Sequence, residues 1–450
     1  MTEVKDALGR AVSRRSFLGT TALAGLGVAG AGTLLAGCGA GSGSGGGAGG
    51  EGGGEGGGPI TWGNWANPGE ATRFKEFSTD YTKKYDVQVT WQQVVGDYQP
   101  KIMTQLAGGA APDAFYVEDT MMSSLTGANK AVKLDEFLAS ADSPVKVEDF
   151  YPGLLPWCKG KDGGLYGLPV DCNPIVFWYN KKMLQEAGVA TDPGAAFTAG
   201  TWNQAALDEM LTKVKAFGKR GMVVEAGWGD FTSLITTFGG TGFDPDSGKC
   251  VWDTDPKAQE VLAWLFDHFK AETITYGGSL PKGQGVEALF YGGQLATVTK
   301  GRWILPNLKK LKNLEYDMAP YPSEDGKTVM PVTVAVAAMS VQTEAKDKDA
   351  SLLFLGRFVN ADGQKFRLSG GGNAVPSVKG LPEVVLEGNI PGNAKYFDEV
   401  AAKGYAIPLI IATNAKVATN LKTVIDATIK GGADSKTFAT KIASYINTGS

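Results

Sequence analysis

The order of the secondary structure is set by residues 60–117, ITWGNWANPGEATRFKEFSTDYTKKYDVQVTWQQVVGDYQPKIMTQLAGGAAPDAFYV. Alternating or continuous apolar residues predict strands over residues 60–65, 87–95 and 114–117. A helix is predicted between each pair of strands. This β-α-β-α-β order indicates an α/β fold with a parallel sheet and right-handed crossovers.

The two predicted helices have clear boundaries. The first follows Asn67-Pro68-Gly69-Glu70, which supplies an N-cap, a proline at the first helical position and a glutamate three residues after the cap. The second ends at Gly108-Gly109. Residues spaced three or four apart give each helix one buried face: Phe74, Phe77, Tyr81 and Tyr85 in the first, and Ile102, Met103 and Leu106 in the second.

Chemically active side chains lie at the ends of two of these strands. Asn64 and Trp65 end the first strand, and Glu118 and Asp119 follow the third. Ligands of such sheets bind beyond the carboxyl ends of the strands, so these residues are candidate contacts. A core role for Trp65 and a helix-capping role for the acidic pair are the alternatives.

The N-terminus has the features of an export signal. Ser13-Arg14-Arg15-Ser16-Phe17-Leu18 resembles the twin-arginine (Tat) pattern, and residues 17–37 carry no charge. Leu35-Ala36-Gly37-Cys38 resembles a bacterial lipobox, which predicts a signal peptide over residues 1–37 and a lipid on Cys38. A plain membrane anchor is the alternative, since 21 uncharged residues are long enough to span a bilayer.

The glycine-rich residues 38–58 and the net charge indicate where the protein is located, but they do not indicate its activity. The glycine-rich segment cannot bury a core and is predicted to be a flexible, lipid-anchored linker at the extracytoplasmic face of the cell membrane. Removing residues 1–37, with four basic and two acidic residues, changes the net charge from −4 to about −6. No basic patch accompanies it, so nucleic acid is not an expected partner.

The sequence contains none of the common catalytic or metal-binding motifs. Cys158, Cys172 and Cys250 have no zinc-ligand spacing, and one disulfide among them is possible with its pairing left open. His268, the single histidine, lies on a predicted helix and is interpreted as a packing or surface residue. No metal or other cofactor is therefore predicted, and the protein is not expected to be an enzyme.

Residues 60–450 resemble the extracellular solute-binding proteins of family 1, which includes sugar-binding proteins of ABC importers. Two lobes also suit the length of this segment. Six stretches carry the resemblance in order: Leu106-Ala107-Gly108-Gly109-x-x-Pro112-Asp113; Tyr166-Gly167-Leu168-Pro169-x-Asp171 with Trp178-Tyr179-Asn180-Lys181; Thr201-Trp202-Asn203; Gly239-Gly240 with Phe243-Asp244; Gly301-x-Trp303; and Gly370 to Pro376. Residues 330–333 depart from the pattern because they lack its glycine pair.

The resemblance implies a two-lobe fold of the periplasmic-binding-protein type II, with parallel-type sheets flanked by helices and a ligand cleft between the lobes. Lobe 1 would comprise residues 60–171 plus 322–371. Lobe 2 would comprise residues 172–321 plus 372–450. The chain would cross between lobes near residues 171–174, 319–322 and 370–376, where prolines or glycines interrupt regular structure.

A sugar offers hydroxyl groups at its edge and C–H groups on its face, so its site needs aromatic platforms and directed polar groups. The resemblance favours Asp119, Asp171 and Trp303 as contacts. Arg302 is a further candidate, with a surface cation as the alternative. The candidate platforms and polar contacts together are Asn64, Trp65, Glu118, Asp119, Asp171, Trp228, Arg302, Trp303 and Asn373.

The sequence thus predicts a monomeric substrate-binding lipoprotein that closes over a sugar or oligosaccharide and delivers it to an ABC permease in the membrane. The same scaffold binding a polyamine, an organic anion or iron is the main alternative. An exported glycoside hydrolase is a weaker one, because Glu118 and Asp119 are adjacent and point in opposite directions on an extended segment. The identity of the sugar and of the permease is not specified.

Overall fold

The computed structural model describes residues 58–66, 69–370 and 372–450. The predicted export signal, Cys38 and nearly all of the predicted linker lie outside the described residues. The same holds for Asn67 and Pro68, the predicted start of the first helix, and for Gly371.

The described residues form ten strands and eighteen α-helices. The strands are β1 Ile60–Asn64, β2 Val89–Gln93, β3 Ala114–Val117, β4 Leu168–Pro174, β5 Val176–Asn180, β6 Met222–Val224, β7 Ile274–Tyr276, β8 Thr297–Lys300, β9 Tyr316–Ala319 and β10 Val334–Val341. The helices are α1 Glu70–Tyr85, α2 Tyr98–Ala107, α3 Met122–Gly127, α4 Asp135–Ala139, α5 Lys181–Glu186, α6 Pro193–Ala199, α7 Gln204–Ala216, α8 Trp228–Thr237, α9 Pro256–Lys270, α10 Val286–Tyr291, α11 Leu305–Leu308, α12 Lys348–Val359, α13 Ala361–Leu368, α14 Pro382–Leu386, α15 Tyr396–Lys403, α16 Leu409–Ala412, α17 Ala415–Lys430 and α18 Ser435–Thr448.

The first sheet has the strand order β2-β1-β3-β10-β4. The pairs β1–β2 and β1–β3 are parallel, which confirms the pairing predicted for the first three strands. Strand β10 runs antiparallel to both β3 and β4. The sheet is therefore mixed, because a strand from late in the chain is inserted between two early ones.

The second sheet has the order β8-β5-β9, with both pairs antiparallel. The parallel pair β6–β7 extends it next to β8. Two backbone hydrogen bonds make this link: Ala296 N–H donates to Arg220 O at 2.9 Å, and Thr297 N–H donates to Gly221 O at 3.0 Å.

Helix α1 confirms the predicted buried face. Phe74, Phe77 and Tyr81 are buried, whereas Tyr85 is half-buried at the last turn. Phe74 packs edge-on against Trp62 of β1, with ring centroids 5.3 Å apart. The helix is thereby fixed across the first sheet, and its N-terminal turn lies beside the end of β1.

The helices α7 and α9, in the part of the chain that contains the second sheet, begin with side-chain caps. The cap residues are of the types that favour a helix start. Asn203 Oδ1 accepts a hydrogen bond from Ala206 N–H at the start of α7, and Asp255 Oδ1 accepts one from Ala258 N–H at the start of α9. His268 of α9 packs on Trp264 with ring centroids 4.6 Å apart, which agrees with its interpretation as a packing residue.

The chain passes from the first sheet to the second between β4 and β5, which are separated only by Ile175. It returns between β9 and β10. Residues 320–333 of that return remain with the second part, since Ser323 N–H donates to Trp202 O at 3.1 Å. Near the third predicted crossing, Cys172 and Val375 exchange two backbone hydrogen bonds of 2.8 Å.

The cysteines within the described ranges are all reduced. Cys158, Cys172 and Cys250 are buried and have free thiols, so the structure does not use the disulfide that the sequence analysis left open. Among the described residues, no helix has both the length and the apolar character needed to cross a membrane.

Candidate functional site

The carboxyl ends of β1 and β3 meet at one edge of the first sheet. The two strands pair in parallel, so the residues that follow them are neighbours. Asn64 and Trp65 lie at the end of β1, and Glu118 and Asp119 directly follow β3. The structure therefore brings these four predicted residues together.

Trp65 is half-buried and is held by two tyrosine rings. Its ring packs edge-on against Tyr98 and Tyr116, with centroids 4.9 and 5.1 Å away. The Tyr98 hydroxyl donates to Tyr116 O at 2.7 Å, which fixes the pair. The remaining surface of Trp65 is available as an aromatic platform.

Asn64 is completely buried, unlike the other residues at this edge. Its Oδ1 accepts a hydrogen bond from Trp91 Nε1 at 2.7 Å. The sequence analysis placed Asn64 among the residues that face a solute, but the structure buries it and pairs it with Trp91 of β2, as a support for the strand end.

The carboxyl groups of Glu118 and Asp119 have no ion-pair partner among the described residues. Burial and, to a smaller extent, the neighbouring Glu118 together raise the pKa of Asp119 to about 6. Burial also raises the pKa of Glu118. Both groups are half-buried, so they are acceptors held partly away from water.

Asp171 of β4 lies against a buried arginine. Its Oδ2 is 3.7 Å from Arg367 Nη1, and the Arg367 side chain is only 1% exposed. Arg367 Nη2 also donates to Val170 O at 2.6 Å. Burial raises the pKa of Asp171 to about 6, and the Arg367 guanidinium opposes that shift.

A cavity of about 530 Å³ adjoins Asp171. Asn373 lines the same cavity and donates a hydrogen bond to Glu70 Oε1, at the first residue of α1. Pro306 and Lys310 line it from the α11 region. Residues from both parts of the fold thus enclose the polar group formed by Asp171, Asn373 and Glu70.

Trp303 is fixed by two hydrogen bonds. Its Nε1 donates to Glu287 Oε1 at 2.9 Å, and its backbone N–H donates to Asn173 Oδ1 at 3.2 Å. Asn173 is two residues, about 7 Å, from Asp171 along β4. Strand β4 therefore carries Asp171 and, two residues later, the side chain that holds the Trp303 backbone.

A charged group lies at the ends of β6 and β8. Glu225 follows β6 and pairs with Lys300, the last residue of β8. Asp230 is close to both, and burial raises its pKa to about 7 although Lys300 lowers it. This group adds directed polar contacts next to Trp303, since Gly301 and Arg302 alone separate Lys300 from it.

Trp228 begins α8, three residues after Glu225. It is half-buried and packs against Phe243 and Tyr405, with centroids 6.2 and 6.4 Å away. Trp228 therefore lies near the charged group, but no described contact joins it to Trp303 or to Asp171.

The sequence analysis considered Arg302 as a cleft contact or as a surface cation. The structure shows neither. Arg302 is 1% exposed. Its guanidinium donates to Ala374 O at 2.9 Å, to Val384 O at 3.4 Å and to Val385 O at 3.2 Å. The structure therefore makes Arg302 a buried cross-link behind Trp303.

Four residues of this cleft escaped the sequence analysis: Glu70, Asn173, Glu225 and Lys300. Glu225 and Lys300 could have been found in the same way as Glu118, because each is a polar residue at the end of a strand. They were missed because the strands β6 and β8 were not assigned from the sequence. Glu70 was interpreted only as a helix-start residue.

The arrangement suits hydrogen bonding and ring stacking with a neutral, hydroxylated solute. Trp65 and Trp303 supply flat apolar surface, while Asp119, Asp171 and Glu225 supply acceptors. Among the described residues, no cluster of three or more histidine, cysteine, aspartate or glutamate side chains is arranged to hold a metal ion.

The described fold matches solved structures at low sequence identity. An ABC substrate-binding protein from Listeria monocytogenes, solved with cycloalternan, is 20% identical with a TM-score of 0.72, over 87% of this chain and 98% of that one. The cyclic alpha-maltosyl-1,6-maltose binding protein from Arthrobacter globiformis is 18% identical with a TM-score of 0.70, over 86% and 98%. The GacH receptor of Streptomyces glaucescens, solved with and without acarbose, is 17% identical with a TM-score of 0.69, over 86% and 97%.

These matches confirm the predicted two-lobe α/β fold of the periplasmic-binding type II. No curated protein sequence matches the chain. The sequence pattern of the bacterial extracellular solute-binding proteins matches residues 76–397, which is well over half of the chain. Together with the cleft between the two sheets, this match shows that the chain belongs to the bacterial extracellular solute-binding protein family.

Proposed function

We propose that this protein is the extracytoplasmic substrate-binding lipoprotein of an ABC importer, and that it captures a sugar or oligosaccharide. Capture occurs by closure of two lobes over the solute, followed by delivery to a membrane permease. The chain binds its solute without chemical turnover.

The pairing of aromatic platforms with carboxylates across β4 carries this proposal. Asp171 and Asn173 are two residues apart, and Asn173 fixes Trp303 through a 3.2 Å hydrogen bond. We infer that a ring stacked on Trp303 would lie near the Asp171 carboxylate, since β4 holds both residues. Hydroxyl groups of a pyranose need that combination of stacking and directed hydrogen bonds.

The similar structures give independent support. One was solved with cycloalternan, another is a cyclic alpha-maltosyl-1,6-maltose binding protein, and the third was solved with acarbose. An anionic solute is less well matched by this cleft, because Lys300 is paired with Glu225, and the cations Arg73, Lys310 and Arg367 share their cavity with the carboxylates of Glu70, Glu76 and Asp171.

We place the lobe boundaries close to those expected from the sequence. Lobe 1 comprises residues 60–171 with the later segment up to residue 371, and lobe 2 comprises the remainder. The contacts of residues 320–333 with the second part favour a second crossing at Thr333, rather than at residue 322. The hydrogen bond from Thr237 Oγ1 to Pro322 O, at 2.5 Å, supports the same position.

Membrane attachment through Cys38 rests on the sequence pattern of residues 13–38. In cells that export the chain, labelled palmitate should be incorporated into the unaltered chain and not into Cys38→Ala. Absence of label from the unaltered chain would contradict lipidation at Cys38 and favour an uncleaved membrane anchor.

The first test is thermal stabilisation of the mature chain, residues 38–450 with Cys38→Ser, against saccharides of one to six units. Amino acids, polyamines and metal ions serve as control ligands. A solute at 100 times its Kd adds about 2.7 kcal/mol to the free energy of unfolding, which is visible as a raised Tm. Stabilisation by one saccharide series, and by none of the controls, is the expected result.

Two outcomes would overturn parts of the proposal. Stabilisation by a control ligand, with no response to any saccharide, would leave a solute-binding protein but reject the sugar assignment. Release of product from a labelled form of the stabilising saccharide would reject the statement that the chain binds without turnover.

A further inference from the structure

The two tyrosine rings that hold Trp65 differ in the surroundings of their hydroxyl groups. Tyr98 and Tyr116 are both buried, with exposed fractions of 4% and 3%. The Tyr98 hydroxyl donates to the backbone oxygen of Tyr116 at 2.7 Å. The Tyr116 hydroxyl has no hydrogen-bond partner among the described residues. A buried hydroxyl group without a partner is rare in folded proteins, because the loss of its hydration is not compensated.

The side-chain amide of Asn64 is a second buried group of this kind. Its Oδ1 accepts from Trp91 Nε1, but its Nδ2 has no partner among the described residues. Strands β1 and β3 pair in parallel with Gly63 opposite Phe115, so Asn64 and Tyr116 are the next pair along the two strands. The Asn64 side chain is close enough to Tyr116 to lower the pKa of that hydroxyl. The two unpaired groups are therefore neighbours.

Ring contacts and charges place the Tyr116 hydroxyl at the cavity that adjoins Asp171. Phe74 lines that cavity and packs edge-on against the Tyr116 ring, with centroids 6.1 Å apart. Burial raises the pKa of Tyr116, the Arg367 guanidinium opposes this rise, and two carboxylates add to it. These carboxylates belong to Asp171 and Glu70, and all three charged residues line the cavity. The hydroxyl therefore lies among the polar groups of the cavity wall.

The polar groups at this wall suit a hydroxyl group of a sugar. A hydroxyl group donates one hydrogen bond and accepts up to two. Tyr116 and Asn64 offer donors that no described residue uses, and Asp171 offers a carboxylate acceptor. A sugar hydroxyl bound between them would have both a donor and an acceptor. It would also supply the partner that the two buried groups lack among the described residues.

We propose that the Tyr116 hydroxyl is a specificity-determining group, which binds one hydroxyl group of the solute together with the Asn64 amide. This inference rests on the proposed function, and it deepens it by naming the protein atoms that select the solute. A site of this construction discriminates strongly against a solute that lacks the hydroxyl group, since the buried groups of the protein then stay unpaired.

The test compares Tyr116→Phe with Tyr81→Phe, which also removes one buried tyrosine hydroxyl from the first part of the fold. The Tyr81 hydroxyl has a partner, because it accepts from Arg357 Nη1 at 3.2 Å. The probe is the tightest binder among maltose, maltotriose, cellobiose, lactose and xylobiose, titrated by calorimetry on the mature chain with Cys38→Ser. Tyr116→Phe should weaken binding of the probe about tenfold, and Tyr81→Phe should leave it within about twofold.

The Tm without sugar should change in the opposite order. Tyr81→Phe removes a hydrogen bond and should lower the Tm. Tyr116→Phe removes a group that has no partner in the unliganded chain, so its Tm should be unchanged or raised. A loss of affinity without a loss of stability separates a contact with the solute from a purely structural role.

Monodeoxy derivatives of the probe identify the sugar hydroxyl that Tyr116 binds. One derivative should bind the unaltered chain about tenfold more weakly than the probe does. Tyr116→Phe should bind that derivative and the probe within about twofold of each other, because the contact is already lost. For the other derivatives, the affinity relative to the probe should be the same in both forms.

Three outcomes would overturn the inference alone. The first is an unchanged affinity for the probe in Tyr116→Phe. The second is a loss by the same factor for the probe and for every monodeoxy derivative. The third is a Tm of unliganded Tyr116→Phe that falls as much as that of Tyr81→Phe, since the hydroxyl would then have a partner in the protein. If none of the saccharides binds the unaltered chain, the sugar assignment of the proposed function fails together with the inference.

Discussion

Trp303 owes its position to the residues immediately before it in the chain. Its ring covers Gly301, where a Cβ atom would lie 2.1 Å from the ring carbon Cζ3 and 2.6 Å from Asn173 Cβ. A side chain at residue 301 would therefore displace either the platform or the strand residue that holds it. Glycine is required here for space, since no unusual backbone angle is involved.

We predict that Gly301→Ala weakens sugar binding at least about tenfold, because the Trp303 ring must move away from Asn173. The affinity is measured by titration calorimetry with the saccharide found in the stabilisation panel. Gly108→Ala is the matched control, since its Cβ would meet nothing closer than 3.4 Å and Gly108 ends a helix in lobe 1. Equal affinities for both variants would show that Trp303 is not a contact.

The raised pKa of a cleft carboxyl predicts that sugar affinity and the stability of the unliganded chain change in opposite directions with pH. Asp119 has a pKa of about 6, above its ordinary value of 3.8. It is mostly ionised at pH 7.5, and an ionised carboxylate accepts hydroxyl hydrogen bonds more strongly than a neutral one. Affinity should therefore fall as the pH decreases through about 6. Stability of the unliganded chain changes the other way, because the folded form binds more protons than the unfolded form between pH 3.8 and 6.

This prediction is checked by titrating the sugar at several pH values between 5 and 8, together with Asp119→Asn. The amide does not ionise, so that variant should bind more weakly at pH 7.5 and show a flatter profile. An unchanged profile in Asp119→Asn would assign the pH dependence to another group. Urea unfolding without sugar should show that the Asp119 contribution to stability increases on acidification.

At the scale of single residues, the sequence predicts where a residue lies in the fold better than it predicts whether its side chain is exposed. Asn64 was selected because it ends the first predicted strand, and it is found at the end of β1; Asp171 was selected on the family resemblance, and it lies in the middle of β4. Asn64 is buried by Trp91, however, while Asp171 remains half-buried beside a cavity. Which face of a strand end becomes covered depends on residues 27 or more positions away, such as Trp91 for Asn64.

Among the elements, α14 shows how a buried charge can be met without a carboxylate. Arg302 donates to Val384 O and Val385 O, near the C-terminal end of that helix, and to Ala374 O at the third crossing. Carbonyl groups at a helix end lack partners within the helix and carry partial negative charge. Burial nevertheless lowers the pKa of Arg302 to about 10.

We predict that Arg302→Met lowers the free energy of unfolding by about 3 kcal/mol, since it leaves several buried carbonyl groups without a donor. Arg302→Lys should be intermediate, because an ammonium group reaches fewer of these acceptors. Urea unfolding measures both, with exposed Lys282→Met as a control that should change stability little. A fully stable Arg302→Met protein would show that the cross-link is dispensable.

Helix prediction succeeded where the pattern is local. The buried face of α1 follows from apolar spacing within its segment, and the cap residues Asn203 and Asp255 come directly before their helices. Strand β10 was not predicted, and its partners β3 and β4 lie more than 150 residues earlier. Pairing at that separation leaves no periodic signal that identifies the neighbour.

For the whole molecule, the separate walls of the cleft imply a change of shape on binding. Asp119 and Asp171 belong to one lobe, whereas Trp303 and Glu225 belong to the other in the proposed division. A solute that contacts both lobes stabilises the arrangement in which they are closer together.

We predict that small-angle X-ray scattering shows a smaller radius of gyration at saturating sugar than without sugar. The unliganded and liganded states are compared for the mature chain with Cys38→Ser. The Gly301→Ala variant, at the same sugar concentration and below its weakened Kd, should show less compaction. An unchanged radius for the unaltered chain at saturation would reject closure.

The antiparallel strand β10 has a consequence for synthesis of the chain on the ribosome. It fills the place between β3 and β4, yet about 160 residues separate the end of β4 from its start. At about 5–20 residues per second, roughly 10 to 30 s pass before β10 emerges. During that interval the apolar edge of β3, Ala114–Val117, has no partner on one side. The nascent protein therefore needs shielding of an unfinished first lobe, and its earliest-made half is completed only when three quarters of the chain have been translated.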